Sequence, residues 1–239
     1  MNELKIILLK LTGTSLLNEN KELDANLINS IAKQINSLRD KYYFAVVIGG
    51  GNFFRGDEQG KKLGIRPNIG HQVGMLATVI NGLLIKNSFE DNGIDNVILS
   101  SIENHFTGKF ANQDNIDEAL RNNKSIIFVA GTGNPFFSTD TASVLRALQI
   151  NAHEVWKATN VDGVYDEDPR THPNTNLIKK LSCTEAINKK IGIMDLAAFA
   201  LAQQHALPIR IFNIFEPDAL IKASNDNNFG SLIYSRSSL

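Results

Sequence analysis

Four segments of this 239-residue chain combine glycine with basic or small polar side chains in the manner of phosphate-binding loops. They lie at residues 10–13, 49–56, 131–140 and 157–165, and each follows an apolar run that predicts a β-strand. Glycine lets a backbone approach an anion closely, and free N–H groups at a turn or a helix N-terminus attract negative charge. Four such loops predict two phosphorylated ligands that meet over one edge of a sheet.

The charged residues of these loops suit phosphoryl transfer, which requires alignment of the reactants and neutralisation of the charge on the transferred group. Lys10 ends the first predicted strand and is placed to reach the β- and γ-phosphates of a nucleotide. Lys157 ends a later strand and offers a second cation, while the planar fork of Arg55 suits an acceptor phosphate. Asp195 is a candidate to orient a lysine, and residues 139–140 open a helix whose N–H groups would face an anion.

Each of these residues also has a purely structural interpretation. A lysine at a strand end is often only solvated, and the glycines at 49–51 could form a simple turn. Arg55 could make a surface salt bridge, Asp195 could be a helix N-cap, and Phe136 and Phe137 are of a type more often found in a core than stacked on a base. The functional interpretation therefore depends on the four loops occurring together.

The elements that must position these loops alternate between short apolar runs and helical patterns along the whole chain. Strands are predicted at residues 4–10, 44–48, 97–100, 125–130, 155–158 and 209–213. Helices are predicted after the N-cap Asp24, at 74–90, 114–121 and 139–148, after the capping box of Ser182 and Glu185, and from Asp195 to His205. This alternation predicts an α/β fold, a three-layer α/β/α sandwich with a mostly parallel central sheet. Ligands bind such sheets at the carboxyl ends of the strands, where all four loops fall.

Composition narrows the class of protein. The chain is 43% hydrophobic and 21% charged with a formal net charge of −1, which disfavours bulk binding to nucleic acid or to a membrane surface. The single cysteine, Cys183, cannot form an intramolecular disulfide, and we expect a cytoplasmic protein with one domain over residues 1–239. No signal-peptide pattern, P-loop motif, complete Gly-x-Gly-x-x-Gly, metal-ligand spacing or Gly-x-Ser-x-Gly elbow is present in the sequence.

The strings at residues 10–13, 47–56, 74–82, 130–140, 157–165 and 194–199 carry a further signal. Taken together they resemble bacterial UMP kinases (uridylate kinases), which belong to the amino acid kinase superfamily. The resemblance extends from residue 5 to about residue 234, and the strings at 130–140 and 194–199 are specific to this branch of the superfamily.

The resemblance implies an amino acid kinase fold and transfer of the ATP γ-phosphate to UMP, with Mg²⁺ bridging the ATP phosphates. The implied catalytic residues are Lys10, Arg55, Lys157 and Asp195, with Asp195 holding Lys10 in place. The implied ATP-binding residues are Lys10, Leu11, Thr12, Gly13, Gly51, Arg55, Thr159, Asn160, Tyr165 and Asp168. The implied UMP-binding residues are Gly50, Arg55, His71, Thr132, Gly133, Asn134, Pro135, Phe136, Phe137, Ser138, Thr139 and Asp140. The acceptor side would lie mainly in residues 1–150 and the ATP side mainly in 151–239, with no metal site made by the protein itself.

The resemblance also implies feedback inhibition by UTP and a homohexamer built through the helix at 74–85. Three positions depart from the family pattern. His71 stands where most members have an aspartate that binds the ribose hydroxyls, and Thr14 replaces a glutamate. Residues 17–22 lack the glycines of the family's effector segment, so activation by GTP is not supported.

Two other functions stay open at this point. One is a kinase of the same superfamily that acts on a carboxylate or carbamate; residues 134–137 argue against it because they suit a nucleobase pocket. The other is a catalytically weakened regulator that binds UMP or UTP, which His71 and Thr14 would favour. It is disfavoured by the retention of Lys10, Arg55, Lys157 and Asp195.

Overall fold

The computed structural model describes residues 4–167, 171–172 and 175–235, except for the side chains of residues 57 and 58. The strands are β1 (Lys5–Leu11), β2 (Tyr42–Ile48), β3 (Asn96–Ser100), β4 (Lys109–Phe110), β5 (Ser125–Val129), β6 (Glu154–Thr159), β7 (Val164–Tyr165), β8 (Leu177–Ile178), β9 (Lys180–Ser182), β10 (Ile209–Asn213) and β11 (Ser231–Tyr234). The helices are α1 (Ala25–Ser37), α2 (Pro67–Asp91), α3 (Gln113–Arg121), α4 (Thr139–Gln149), α5 (Cys183–Asn188), α6 (Leu196–Gln204) and α7 (Ala219–Asn225). A 3₁₀ turn (Gly13–Leu16) follows β1, and a π-helical turn (Gly56–Gly60) precedes α2.

Over the described residues, the strands form a nine-stranded sheet in the order β4-β3-β5-β2-β1-β6-β10-β11-β9, beside a small β7-β8 hairpin. Neighbouring strands of the large sheet run parallel except for β10 and β11. The predicted mostly parallel sheet is therefore confirmed. The carboxyl ends of β1, β2, β5 and β6 lie at one edge, and all four glycine-containing loops leave from that edge.

The side chains of β1 show how the sheet separates two helical layers. Ile7, Leu9 and Leu11 pack into the core beneath α1, α2 and α7, whereas Leu8 packs into the core beneath α3, α4, α5 and α6. This alternation follows from the two-residue repeat of a strand. It buries apolar side chains on both faces and produces the predicted three-layer arrangement.

The predicted helix starts are mostly confirmed by capping hydrogen bonds. Asp24 accepts from the N–H groups of Asn26 and Leu27, and Ser182 forms a reciprocal capping box with Glu185. Helix α2 begins at Pro67, seven residues before its predicted start, because proline is well suited to the first turn of a helix. None of the helices in the described ranges is both long and apolar enough to cross a membrane.

Candidate active site

Two lysines lie side by side at the carboxyl edge of the sheet. Lys10 of β1 and Lys157 of β6 are direct partners in the parallel register, so both side chains leave the same face of the sheet. They lie on the α4 side, and only 4% and 3% of their surfaces are exposed. Two buried ammonium groups repel each other and lose hydration, so this arrangement requires a counter-charge.

Asp140 supplies that counter-charge from the first turn of α4. Its two carboxylate oxygens lie 2.7 Å from the Lys10 ammonium and 2.8 Å from that of Lys157. Ser138 caps the helix by accepting from the Asp140 N–H at 2.9 Å, which fixes the direction in which α4 meets the sheet. We call Lys10, Asp140 and Lys157 the lysine centre.

The charges of the lysine centre move its pKa values. Burial by itself would raise the pKa of the Asp140 carboxyl, but the two lysines lower it to about 2. Burial and repulsion from Lys10 lower the pKa of Lys157 to about 8, a shift that the attraction of Asp140 only partly offsets. Asp140 is therefore ionised at neutral pH and serves as a fixed negative charge.

The carboxylate that holds Lys10 was predicted wrongly. Asp195 was expected in that role, and Asp140 was expected among the acceptor-binding residues. In the structure Asp195 caps α6 through the Ala198 N–H at 2.8 Å and accepts from the hydroxyls of Thr141, at 2.7 Å, and Ser138. It thereby ties α6 to the start of α4. Because α4 crosses the sheet face beside the lysines, Asp140 reaches both ammonium groups.

The glycine loop after β2, residues 49–56, packs directly against the turn after β1. A Cβ atom at Gly13 would lie 2.4 Å from the Asn52 side chain and 2.7 Å from the Gly51 nitrogen, so only glycine allows this approach. Asn81 of α2 is fully buried, donates to the Gly49 carbonyl at 2.7 Å, and exchanges two amide hydrogen bonds with Asn52. The role of Asn81 was not predicted; its signal was a lone amide within an apolar helical run.

Arg55 lies over this loop at its exposed end. Its Nε donates to the Gly51 carbonyl at 3.2 Å, and its backbone N–H donates to the Gln59 side chain at 2.7 Å. Arg55 is exposed, so the terminal nitrogens of its guanidinium could meet an anion.

One cavity of about 290 Å³ lies on the acceptor side of the lysine centre, and we call it the acceptor pocket. The predicted residues that line it are Gly50, His71, Thr132, Asn134, Phe137, Ser138 and Thr139. Phe136 does not line the cavity but contacts the His71 ring, with 4.9 Å between ring centroids. Six further lining residues lie between Phe54 and Thr78 and were not predicted; these are Phe54, Gly56, Gly70, Gly74, Met75 and Thr78. Gly131 also lines the cavity, as does Gly51, which was predicted on the ATP side. Gly133, Pro135 and Arg55 are not among the lining residues.

A second cavity of about 420 Å³ lies beyond β6, and we call it the donor pocket. The predicted residues Asn160 and Tyr165 line it, whereas Thr159 is buried at the end of β6 and Asp168 lies outside the described residues. The opposite wall is formed by residues 189–193, which the sequence did not indicate. Ile193 connects this wall to the lysine centre, because its carbonyl accepts a hydrogen bond from the Lys157 ammonium.

The two pockets therefore flank the lysine centre. Ser138, which lines the acceptor pocket, accepts a hydrogen bond from the Asp140 N–H, and Ile193, which lines the donor pocket, accepts one from Lys157. Phosphates of two ligands could meet at this position, next to two cations and the glycine loop.

Comparison with known proteins finds kinases of one family over most of the chain. A family model described as "Amino acid kinase family" matches residues 5–213. The chain is 44% identical over 233 residues to a protein named uridylate kinase from Wigglesworthia glossinidia brevipalpis, covering 96% of each chain. It is 39% identical over 229 residues to the uridylate kinase of Thermotoga maritima, covering 95% of this chain and 98% of the relative. The crystal structure of UMP kinase from Ureaplasma parvum superposes with a TM-score of 0.91 at 31% identity, covering 98% of this chain and 100% of the other.

Proposed function

Because this chain belongs to the amino acid kinase family, we propose that it is a UMP kinase, which transfers the γ-phosphate of ATP to UMP and releases UDP and ADP. The observation that carries the proposal is the lysine centre between two pockets. Within the lysine centre two buried cations share a single carboxylate, which leaves a formal charge of +1 there; Asp195, outside the centre, also attracts Lys157. A phosphoryl group in transfer carries negative charge spread over its oxygens and would complete that balance.

Catalysis by this centre would consist of alignment and charge stabilisation. The UMP phosphate is already anionic at neutral pH, since its second pKa is about 6, so the acceptor oxygen needs no general base. Lys10 and Lys157 would contact the transferred group, and Arg55 would approach the acceptor phosphate from the open side. Asp140 cannot accept the role of general acid at neutral pH because its pKa is about 2. It would hold the two lysines at a fixed position throughout the reaction.

The two pockets fit the two nucleotides by size and lining. The donor pocket is the larger, at about 420 Å³ against about 290 Å³, and would take the adenosine of ATP. Lys189 and Lys190 in its wall add positive charge near the path of the phosphates. The acceptor pocket would take uridine, with Asn134 and the neighbouring backbone facing the uracil edge and His71 near the ribose. Thr132, Phe137, Ser138 and Thr139 would complete that side.

The Mg²⁺ implied by ATP chemistry would be carried by the nucleotide. Asp140 is committed to two ammonium groups, and Asp195 accepts bonds from two hydroxyls and one amide. Both carboxylates are thus already paired with groups of the protein. We therefore place Mg²⁺ on the β- and γ-phosphates of ATP, where its preference for phosphate oxygens and retained water is met.

A homohexamer and feedback by UTP are the finer parts of the proposal. Leu76, Ile80 and Leu83 follow one another on one face of α2 and are 54%, 48% and 38% exposed. Apolar side chains in such a row are typical of a covered interface, and we propose that a second copy covers them. UTP would compete with UMP for the acceptor pocket. The cytoplasmic location stays a prediction, and activation by GTP stays without support from the sequence.

The decisive experiment is ADP production with MgATP and a panel of acceptors: UMP, CMP, GMP, dUMP, N-acetylglutamate and aspartate. We expect strong turnover with UMP. Lys10→Ala should abolish it while UMP still binds, whereas Lys222→Ala, which removes an exposed lysine paired with Glu216, should change nothing. Tight UMP binding without turnover in the wild-type protein would favour the regulator. Turnover only with an amino acid would mean that the acceptor pocket was assigned incorrectly.

A further inference from the structure

A buried arginine lies behind the acceptor pocket, outside the groups discussed so far. Arg146 of α4 is only 5% exposed, and its guanidinium stacks on the Phe128 ring at 5.3 Å. Among the described residues no carboxylate lies within ion-pair distance of it, and its Nε has no hydrogen-bond partner. A buried guanidinium without a counter-ion is costly, so its position requires an explanation.

The hydrogen bonds of Arg146 lead to the loop that lines the acceptor pocket. Its Nη2 donates to the Ser101 hydroxyl at 2.7 Å, and that hydroxyl donates to the Gly131 carbonyl at 2.6 Å. Its Nη1 donates to the Ala111 carbonyl at 3.3 Å and to the Gln149 side chain. A charged donor polarises the hydroxyl that it contacts, and this strengthens the next bond of the chain.

The last acceptor in this series of hydrogen bonds, the Gly131 carbonyl, belongs to a turn with unfavourable backbone geometry. Ala130 and Gly131 have φ angles of +61° and +56°, and alanine adopts the left-handed region only at an energetic cost. Two hydroxyls hold the turn. Thr78 of α2 accepts from the Ala130 N–H at 2.6 Å, and Ser101 binds the Gly131 carbonyl from the other side.

The orientation of this turn determines what the pocket presents. In a trans peptide the carbonyl of one residue and the N–H of the next point in opposite directions. Because the Gly131 carbonyl is held by Ser101, the Thr132 N–H is directed away from Ser101. Thr132 lines the acceptor pocket. The bond to Ser101 thus fixes how this peptide faces the acceptor.

We propose that Arg146 is a positioning residue that sets the affinity for the acceptor nucleotide through Ser101 and the 130–131 turn, without touching either substrate. The inference rests on the proposed function, since it takes UMP as the acceptor. It assigns a purpose to a buried charge that contributes nothing to the lysine centre directly.

Ser101→Ala is the primary test, because it removes the hydroxyl that links Arg146 to Gly131 while leaving α4 and Asp140 intact. We expect the KM for UMP to increase about 3- to 10-fold, the range for loss of one hydrogen bond. The kcat and the KM for ATP should stay within about 2-fold. Arg146→Lys should give a similar split. The KM for UMP of the double variant should be no higher than that of the more affected single variant, because both substitutions disrupt the same series of hydrogen bonds.

Arg210→Lys is the matched control. Arg210 is also 5% exposed, but it pairs with Glu154 at 3.1 Å and has no link to the acceptor pocket. We expect its KM for UMP to be unchanged. The proposal is overturned by an unchanged KM for UMP in Ser101→Ala, by multiplicative effects in the double variant, or by an equal increase in Arg210→Lys. Wild-type protein that fails to phosphorylate UMP would instead refute the proposed function.

Discussion

The lysine centre and the 130–138 segment beside it are neighbours that are held in place by different means. The lysines are set by the hydrogen-bonded register of two parallel strands, and one carboxylate locks them. The loop has residues with left-handed backbone angles and exposed aromatic side chains such as Phe136, which is 71% exposed. Thr78 of α2 and Ser101 after β3 form hydrogen bonds with it, and Arg146 of α4 donates to Ser101. Under the proposed function, the lysines that contact the transferred group are part of the sheet, whereas the acceptor would be recognised by a segment with left-handed backbone angles that buried polar residues support.

This comparison predicts that the largest loss follows from breaking the lysine centre. Asp140→Asn keeps the shape of the side chain but removes the carboxylate that pairs with both buried ammonium groups. We expect kcat to fall roughly 10²- to 10³-fold. Unfolding in urea should show a loss of about 3–5 kcal/mol, the range for a broken buried ion pair.

Glu118→Gln is the surface counterpart for that variant. Glu118 pairs with Lys109 at 2.7 Å, and both side chains are exposed. We expect neither kcat nor the urea midpoint to change. Equal losses in the two variants would contradict the claim that burial makes the Asp140 pairing important.

Proton loss from Lys157 should weaken the centre at high pH. Its pKa is about 8, so kcat/KM for ATP, which reports on the free enzyme, should fall about tenfold per pH unit above that value. Lys157→Arg should be less active, since arginine does not reproduce the geometry, yet its profile should stay flat to higher pH. If kcat/KM falls at the same pH in the wild type and in Lys157→Arg, the fall is caused by a group other than Lys157.

The same groups set the pH dependence of stability. The folded pKa of Asp140 lies below its ordinary 3.8, so its contribution is fully present above pH 3.8 and is lost as pH falls through about 2. The folded pKa of Lys157 lies below its ordinary 10.5, so its contribution to stability increases as pH rises from about 8 to 10.5. Urea titrations of the wild type at pH 2, 4, 8 and 10 measure both directions.

The smallest expected effect belongs to the acceptor side. His71→Asp would introduce a further acceptor for the ribose hydroxyls, and we expect the KM for UMP to fall about 3-fold, within the range of one ordinary hydrogen bond. With dUMP, which lacks the 2′-hydroxyl, the gain should be smaller. A similar gain for both nucleotides would show that the substitution acts by releasing the contact with Phe136.

The sequence predicted what depends on local pattern. The strand that carries Lys10, the cap at Asp24 and the capping box at Ser182 follow from hydrophobic period and short-range hydrogen bonding. The bridging role of Asp140 was missed because it depends on how α4 crosses the sheet. Arg146 was missed for a related reason: its partner Ser101 is 45 residues away, and nothing in the sequence indicates that they meet.

Short elements were also beyond prediction. β4, β7 and β8 have two residues each, too few to show a period of two. The wall at 189–193 carries no motif, because it contributes to the donor pocket through its position after α5.

The pairing of Lys10 with Lys157 across two strands has a consequence for how such a protein can change over evolution. The spacing of the two lysine backbones is inherited from the distance between neighbouring strands, about 4.8 Å. No substitution in a loop alters that spacing, and a one-residue register slip would turn a lysine to the opposite face. Under the proposed function, mutations that change the choice of acceptor can therefore accumulate in residues 130–138 while the strand register keeps the two lysines side by side.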